Sequence, residues 1–280
     1  MILLALGAFQ KGERQLKFVN YEQKLEELLR EFGPSRSSYH PEYPFWRLQR
    51  DGIWVVAADA PMGNRISNSD PTVRQLRAKN AVGRFPDTLL AAMSEDPGLP
   101  TEIAAKVLGD HFPSSIHQDI LDAVGLSLDQ EVRLKRVRNP EFRVKVLRAY
   151  EYRCSICGLD LRINNRTVAL EAAHIRWHIA GGPDIETNGL ALCSLHHKLF
   201  DLGAFTISAR GEVLVSTQVH GSRMFEEVLL AHHGLPCVRP VNAAHGPNSV
   251  FLDWHAAEVF KGPPRNLSNR PVRAPRSRKL

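Results

Sequence analysis

Three of the four cysteines stand with histidine in an order that suits a metal. Cys154-Ser-Ile-Cys157 is followed further along by Cys193-Ser-Leu-His196. A CxxC answered by a CxxH at this separation is a zinc-knuckle pattern, because three thiolates and an imidazole form a donor set for tetrahedral Zn²⁺. The fourth cysteine, Cys237, follows Pro236 and reads as a core thiol. Three more residues with chemistry to offer are interleaved with the half-sites. His174 comes first, Asn188 follows fourteen positions on, and His197 nine beyond that. Imidazole titrates near pH 6.5, so it can take a proton from water at neutral pH or serve as a metal ligand.

These residues need elements to hold them. Residues 168–175 read as a strand delivering His174 near its end, and Gly181-Gly182-Pro183-Asp184 as a loop. Residues 188–201 read as one helix entered at Asn188, which would set Cys193 and His197 one turn apart. Asn139-Pro140 punctuates the start of a helix through Tyr150. Nearer the start, residues 1–9 are apolar and read as a buried helix turn or strand. Residues 21–32 place Leu25, Leu28, Leu29 and Phe32 at helical spacing, and Gly33-Pro34 stops that helix. An aromatic, Pro-containing segment from Tyr39 to Trp46 follows, then a short strand at 53–56 and a loop at 61–71. Asp70-Pro71 is read as opening a helix through Lys79. Residues 86–98 and 101–109 read as helices, the second capped by Thr101.

The chain has 280 residues, 43% of them apolar and 24% charged, which is the composition of a globular protein with one or two cores. Four cysteines are too few for a disulfide scaffold, and no apolar run reaches the length of a membrane span. The expectation is a cytoplasmic protein with reduced thiols and no membrane partner. The net charge is +6, but its placement says more. Residues 261–280 hold seven Lys or Arg and no acid. Residues 133–166 carry ten basic residues against three acidic, and residues 86–131 carry nine acidic against one basic. Two basic blocks suit a partner with repeated negative charge.

The stretch around 145–205 resembles the HNH, or ββα-metal, endonuclease family. The matching residues are Cys154, Cys157, His174, Asn188, Cys193, His196 and His197, with Gly181-Gly182 between them. The resemblance implies a hairpin and a helix clasping one divalent ion, Mg²⁺ or Mn²⁺, beside a structural Zn²⁺ on Cys154, Cys157, Cys193 and His196. It implies His174 as general base, Asn188 as the residue orienting it through a hydrogen bond, and His197 as ligand to the catalytic ion. Many members have Asp just before the first His; here that position is Ala173, and Glu171 or Asp201 is left as the substitute. His196 and His197 are adjacent, and the Cys-x-x-His spacing favours His196 on zinc. His178, His232 and His233 read as surface or core histidines.

Residues 1–110 resemble the sulfur-binding domain of phosphorothioate-dependent restriction endonucleases. The stretches that carry this are Leu29-Arg-Glu-Phe-Gly-Pro-Ser-Arg36, Tyr39-His-Pro-Glu-Tyr-Pro-Phe-Trp-Arg-Leu-Gln-Arg50 with Asp51-Gly52-Ile53-Trp54, and Asn80-Ala-Val-Gly-Arg-Phe-Pro86. The resemblance implies an apolar pocket that takes the sulfur replacing a phosphate oxygen, lined by Tyr43 and Pro44 with Trp46 nearby, and Arg74 on a flanking phosphate. Sulfur is larger and less hydrated than oxygen, so such a cavity discriminates by desolvation. Members of the family carry a basic, histidine-containing stretch ahead of this region, so the domain is expected to be shortened at its start.

The expected fold is therefore α+β in two parts: a mostly helical sulfur-binding-like domain over 1–130 and a zinc-stapled ββα-metal HNH domain over 131–260. A disordered basic tail at 261–280 follows. The expected activity is metal-dependent hydrolysis of phosphodiester bonds in double-stranded, phosphorothioate-modified DNA. A homodimer is compatible with it, since a double-strand break takes two nuclease sites. Two other readings of the residues are an HNH nuclease for methylated or unmodified DNA and a non-catalytic zinc-containing DNA-binding protein.

Overall fold

The computed structural model describes residues 1–60, 70–128 and 140–266. The chain divides into two compact units, Met1–Lys135 and Arg136–Leu280. Residues 129–139, with the start of the basic block, most of the loop expected at 61–71, and the tail from 267 on lie outside the described residues.

The first unit is mostly helical. α1 (Ile2–Gln10) is apolar all round and buried from Leu3 to Phe9, which is how such a helix escapes water. The opening stretch is thus a helix rather than a strand. β1 (Leu16–Lys17) leads into the amphipathic α2 (Phe18–Phe32). The aromatic segment is not an irregular loop. It contains α3 (Glu42–Arg47), with Pro44 in its first turn, where a proline nitrogen is not required to donate. β2 (Val55–Ala57), α4 (Val73–Ala78) and β3 (Val82–Arg84) follow. The helix expected from Asp70 starts instead at Val73, because Thr72 and Gln75 close a reciprocal capping box there. α5 (Asp87–Glu95), α6 (Leu99–His111) and α7 (His117–Val124) complete the unit. α6 begins at Leu99, two residues before the expected cap at Thr101, since Pro100 fits its first turn.

The strands form one antiparallel sheet in the order β1-β3-β2. The core runs through edge-to-face rings, Phe18 to Phe45 at 5.0 Å, Phe45 to Trp54 at 6.0 Å and Trp54 to Phe85 at 5.6 Å. Gly83 in β3 is needed there, because a Cβ at that position would stand 2.3 Å from the Trp54 ring.

The second unit is built round one ladder. α8 (Pro140–Ala149) packs Phe142, Val146 and Leu147 against it. A small exposed hairpin, β4 (Arg162–Ile163) and β5 (Arg166–Thr167), precedes β6 (Leu170–His174). β6 pairs antiparallel with β7 (Gly189–Cys193), in a register running from Leu170 opposite Cys193 to His174 opposite Gly189. α9 (Ser194–Asp201) follows directly. The single helix expected over 188–201 is therefore a strand and then a helix. All five residues of β7 are buried, and a short, wholly apolar run of this kind has no periodicity to separate strand from helix. β8 (Phe205–Ile207) pairs with β9 (Val213–Val215), and α10 (Arg223–Val228) and α11 (Ser249–Glu258) close the unit.

The basic tail does not begin at 261. Lys261 donates its N–H to Gly203, Thr217 to the Pro263 carbonyl, and Arg265 to Val215. Residues 261–265 thus lie along β9 and its following turn, because backbone pairing there outweighs the disorder their composition suggests.

His255 on α11 is fully buried, stacked on Phe200 at 3.7 Å. Its Nδ1 lies 2.9 Å from Thr206 Oγ1 and its Nε2 donates to the Phe200 carbonyl at 3.1 Å. Both nitrogens are satisfied by the neutral ring, and burial lowers its pKa to about 4. Unfolded, the same group titrates near 6.5. The neutral ring's contribution is therefore complete above pH 6.5 and is lost as the pH falls toward 4, by roughly 3 kcal/mol in full. Thermal melts between pH 7 and 4.5 should fall more steeply for the native chain than for His255→Gln. Equal slopes would contradict this.

Candidate active site

The zinc pattern converges. The donor atoms of Cys154, Cys157, Cys193 and His196 all lie within 4.8 Å of one another, although they come from a turn, the end of β7 and the first turn of α9. His196 Nδ1 is 3.7 Å from Cys154 Sγ and 3.1 Å from Cys193 Sγ. Ligand separations in a tetrahedral Zn²⁺–thiolate site are roughly 3.8 Å, so the donor set fits that ion. Its electrostatics agree. The Cys157 and Cys193 thiols hydrogen-bond Cys154 and hold it ionised, while Cys193 is pushed up by its neighbours. Burial opposes a charge on His196, but the Cys154 and Cys193 sulfurs outweigh it and push the imidazole up to about 10. A bound dication would replace these shared protons. His196 Nε2 donates to the Val228 carbonyl at 3.0 Å, a second contact that fixes the ring.

His197 faces a different environment from its neighbour. Its Nδ1 lies 2.5 Å from Glu171 Oε2 and its Nε2 3.2 Å from Asp201 Oδ2. Burial lowers the affinity of the ring for a proton, but Asp201 and Glu171 outweigh it and hold the pKa up to about 9. The two carboxylates are not equivalent. The Asp201 side chain is 2% exposed and accepts the Trp177 indole N–H at 3.2 Å. The Glu171 side chain is 41% exposed and takes the Ser194 hydroxyl. Glu171 and Ala173 share a face of β6 by the two-residue period of a strand, so Glu171 stands one pleat back from the alanine.

His174 ends β6. Its ring stacks on Phe142 at 4.0 Å and 12°, and its Nε2 lies 2.7 Å from Asp184 Oδ1. Sequence reasoning gave Asp184 no role; it sits in a Gly-Pro loop where no periodicity marks it. Asn188 differs from expectation. Its Oδ1 accepts from the Arg176 N–H at 2.9 Å, and its Nδ2 donates to the carbonyls of Arg176 and Pro183, both at 3.0 Å. The buried side chain closes the loop after His174 rather than bonding the imidazole. Gly182 is tied to the same packing, since a Cβ there would strike the Arg176 carbonyl at 1.9 Å.

Three further histidines stand beside these rings or in the core. His178 is exposed and edge-on to His174 at 5.8 Å, and His232 is edge-on to His196 at 6.0 Å. His233 is buried and accepts the Val215 N–H. Cys237 is a buried thiol, as expected.

In the first unit, Tyr43, Pro44 and Trp46 are half-buried on α3, while Phe45 between them belongs to the core. Tyr43 is sandwiched. His40 stacks on it at 4.6 Å, and the Arg47 guanidinium lies 3.9 Å from its ring centre. Arg47 and Arg50 both reach Asp70, at 2.5 and 3.2 Å. Arg74 is exposed on α4. No described helix is long and apolar enough to cross a membrane.

Two family models match the chain. Residues 1–129 match the family model of the ScoMcrA-like DNA sulfur-binding domain, and residues 154–208 match that of the HNH endonuclease. Among solved structures, the modification-dependent TagI restriction endonuclease aligns at 25% identity and a TM-score of 0.32, over 48% of this chain and 41% of that one. The sulfur-binding domain of ScoMcrA, complexed with phosphorothioated DNA, aligns at 21% and 0.37, over 44% of this chain and 79% of that one. The type IV phosphorothioation-dependent restriction endonuclease ScoMcrA aligns at 21% and 0.37, over 44% of this chain. The chain spans 24% of the length of that enzyme. No curated protein matches.

Proposed function

We propose that this chain, which joins a ScoMcrA-like DNA sulfur-binding domain to an HNH endonuclease domain, is a restriction endonuclease that binds phosphorothioate-modified duplex DNA and hydrolyses its phosphodiester bonds. The observation that carries the reading is this pairing of domain types on one chain. The supporting geometry is a cysteine–histidine cluster and two carboxylate-paired histidines, one ending β6 and the other on α9.

In the second unit, His174 takes a proton from the attacking water, and Asn188 keeps the following loop closed. His197 and Glu171 would hold the catalytic ion. A histidine that ligates a metal commonly donates its other N–H to a carboxylate, which is the part Asp201 plays at Nε2. When bound, Mg²⁺ or Mn²⁺ supplies Lewis-acid stabilisation of the charge on the transferring phosphoryl group and its leaving oxygen. A site mixing imidazole with carboxylate favours Mn²⁺ over Mg²⁺ more than an all-oxygen site would. Cys154, Cys157, Cys193 and His196 would hold a structural Zn²⁺.

In the first unit, Tyr43 and Pro44 offer the apolar surface that takes sulfur, with Trp46 beside them and Arg74 on a phosphate. Bases are read separately in a groove. The enzyme works as a homodimer in the reducing cytoplasm, two sites making the two nicks.

The test is a pair of supercoiled plasmids of identical sequence, one phosphorothioated, incubated with MnCl2, MgCl2 or chelator. The modified plasmid should be cut at least ~10-fold faster, and only with metal. Equal cutting of both would remove the sulfur reading and leave the nuclease. Cutting in chelator would remove the metal.

A further inference from the structure

The Asp184 carboxylate meets the imidazole of His174, with Oδ1 2.7 Å from Nε2. Its position is not accidental to the loop that carries it. Asn188 is fully buried and clamps the loop at both ends, binding Arg176 through N–H and carbonyl and Pro183 through its carbonyl. Gly181 adopts a left-handed φ of 79°, and Gly182 leaves room for the Arg176 carbonyl. Pro183 is therefore fixed by its own carbonyl, and the next residue is set against His174. On the other side, Phe142 of α8 stacks flat on the ring. Strand, aromatic face and carboxylate together define the position, tilt and rotation of the imidazole.

We infer that Asp184 is the positioning residue of the general base, acting through His174, and that Asn188 acts one step behind it by holding the loop. The inference rests on His174 as the base. A carboxylate at Nε2 accepts the Nε2–H, so the basic lone pair is on Nδ1. The proton leaves the water oxygen, an N–H bond forms at Nδ1, and the electron pair of the broken O–H bond stays on the attacking oxygen. The imidazolium so formed is stabilised by the Asp184 charge, as in other carboxylate–histidine pairs. Removing the carboxylate frees the ring to rotate and permits the wrong tautomer. A small displacement of a reacting group can cost 10²-fold in rate.

The experiment uses the full chain and phosphorothioated supercoiled plasmid with MnCl2, nicking being scored over long times. Asp184→Ala and the near-isosteric Asp184→Asn should each lower kcat by about 10²-fold with KM unchanged. Asp184→Glu should recover part of the loss, and zinc content and melting temperature should stay at the native values. The deciding measurement is the double variant Asp184→Ala with His174→Ala, which should be no slower than His174→Ala alone. An additive loss in the double variant would overturn the inference, since Asp184 would then act without His174. Native kcat in both Asp184→Ala and Asp184→Asn, with His174→Ala inactive, would overturn it while leaving the nuclease reading intact. Native cutting by His174→Ala would overturn the nuclease assignment itself.

Discussion

Alanine at Cys154 is expected to unfold the second unit while the first keeps its own melting transition. The thiol is fully buried and meets His196, which sits on α9, while Cys193 ends β7. The turn that carries Cys154 is woven into the same unit. Ser155 donates its N–H to Ala191 of β7 at 2.7 Å, and its carbonyl takes the Val238 N–H at 2.7 Å. A structural Zn²⁺ contributes an apparent ~10–16 kcal/mol, which equals or exceeds the whole stability of a domain of this size, ~5–15 kcal/mol. Losing a ligand forfeits much of that and leaves the buried Cys193 thiol and His196 imidazole, with the exposed Cys157, without their ion. The native chain should carry one zinc, measured by atomic emission, and the variant none. Differential scanning calorimetry should then show one of two transitions removed, and excess chelator should do the same to the native protein. A variant that retains zinc and both transitions would refute the assignment.

The second large effect is chemical. His174→Ala should lower cleavage of phosphorothioated plasmid by about 10²–10⁴-fold, the range over which a positioned base contributes. The loss should be confined to the rate. The His174 side chain is 18% exposed at the end of its strand, so truncation opens no sealed cavity in the core. Gel-shift affinity for the modified duplex should match the native protein, because the proposed sulfur contacts, Tyr43 and Pro44, belong to the other unit. A parallel fall in affinity would mean that the imidazole serves binding and not proton transfer.

The parts legible in the sequence were those that obey spacing. The CxxC and CxxH half-sites name their four donors because tetrahedral coordination needs them together, whatever lies between. The adjacency of His196 and His197 was resolved by structure. One ring meets two sulfurs and the other two carboxylates, as expected for successive residues pointing about 100° apart on a helix. What distinguishes Glu171 from Asp201 is burial, which no spacing reveals: the Asp201 side chain is nearly sealed and accepts the Trp177 indole N–H, while Glu171 is half open to solvent. β7 reads as helix in the sequence because five buried apolar residues carry no period. Asp184 gives no signal in the sequence because its contact depends on loop closure by Asn188, and a side-chain amide bonding distant backbone leaves no local signature. The aromatic run at 39–46 concealed α3, where Phe45 points to the core and Tyr43 and Trp46 remain half-buried.

The β6–β7 ladder sets the cysteine–histidine cluster and the base at its two ends. Leu170 pairs with Cys193, His174 with Gly189, and four residue steps along the strand separate them, roughly 14 Å. Zinc on that cluster would act through the fold, since β6 carries His174 and α9 carries His196 and His197 as neighbours. Scarcity of zinc would accordingly change how many molecules are competent to cut and leave the turnover of each competent one untouched. In a zinc titration the cleavage rate should rise in proportion to the metallated fraction, with a constant rate per loaded chain. Supply of that metal would then set the dose of nuclease a cell can deploy, independently of how much polypeptide it makes.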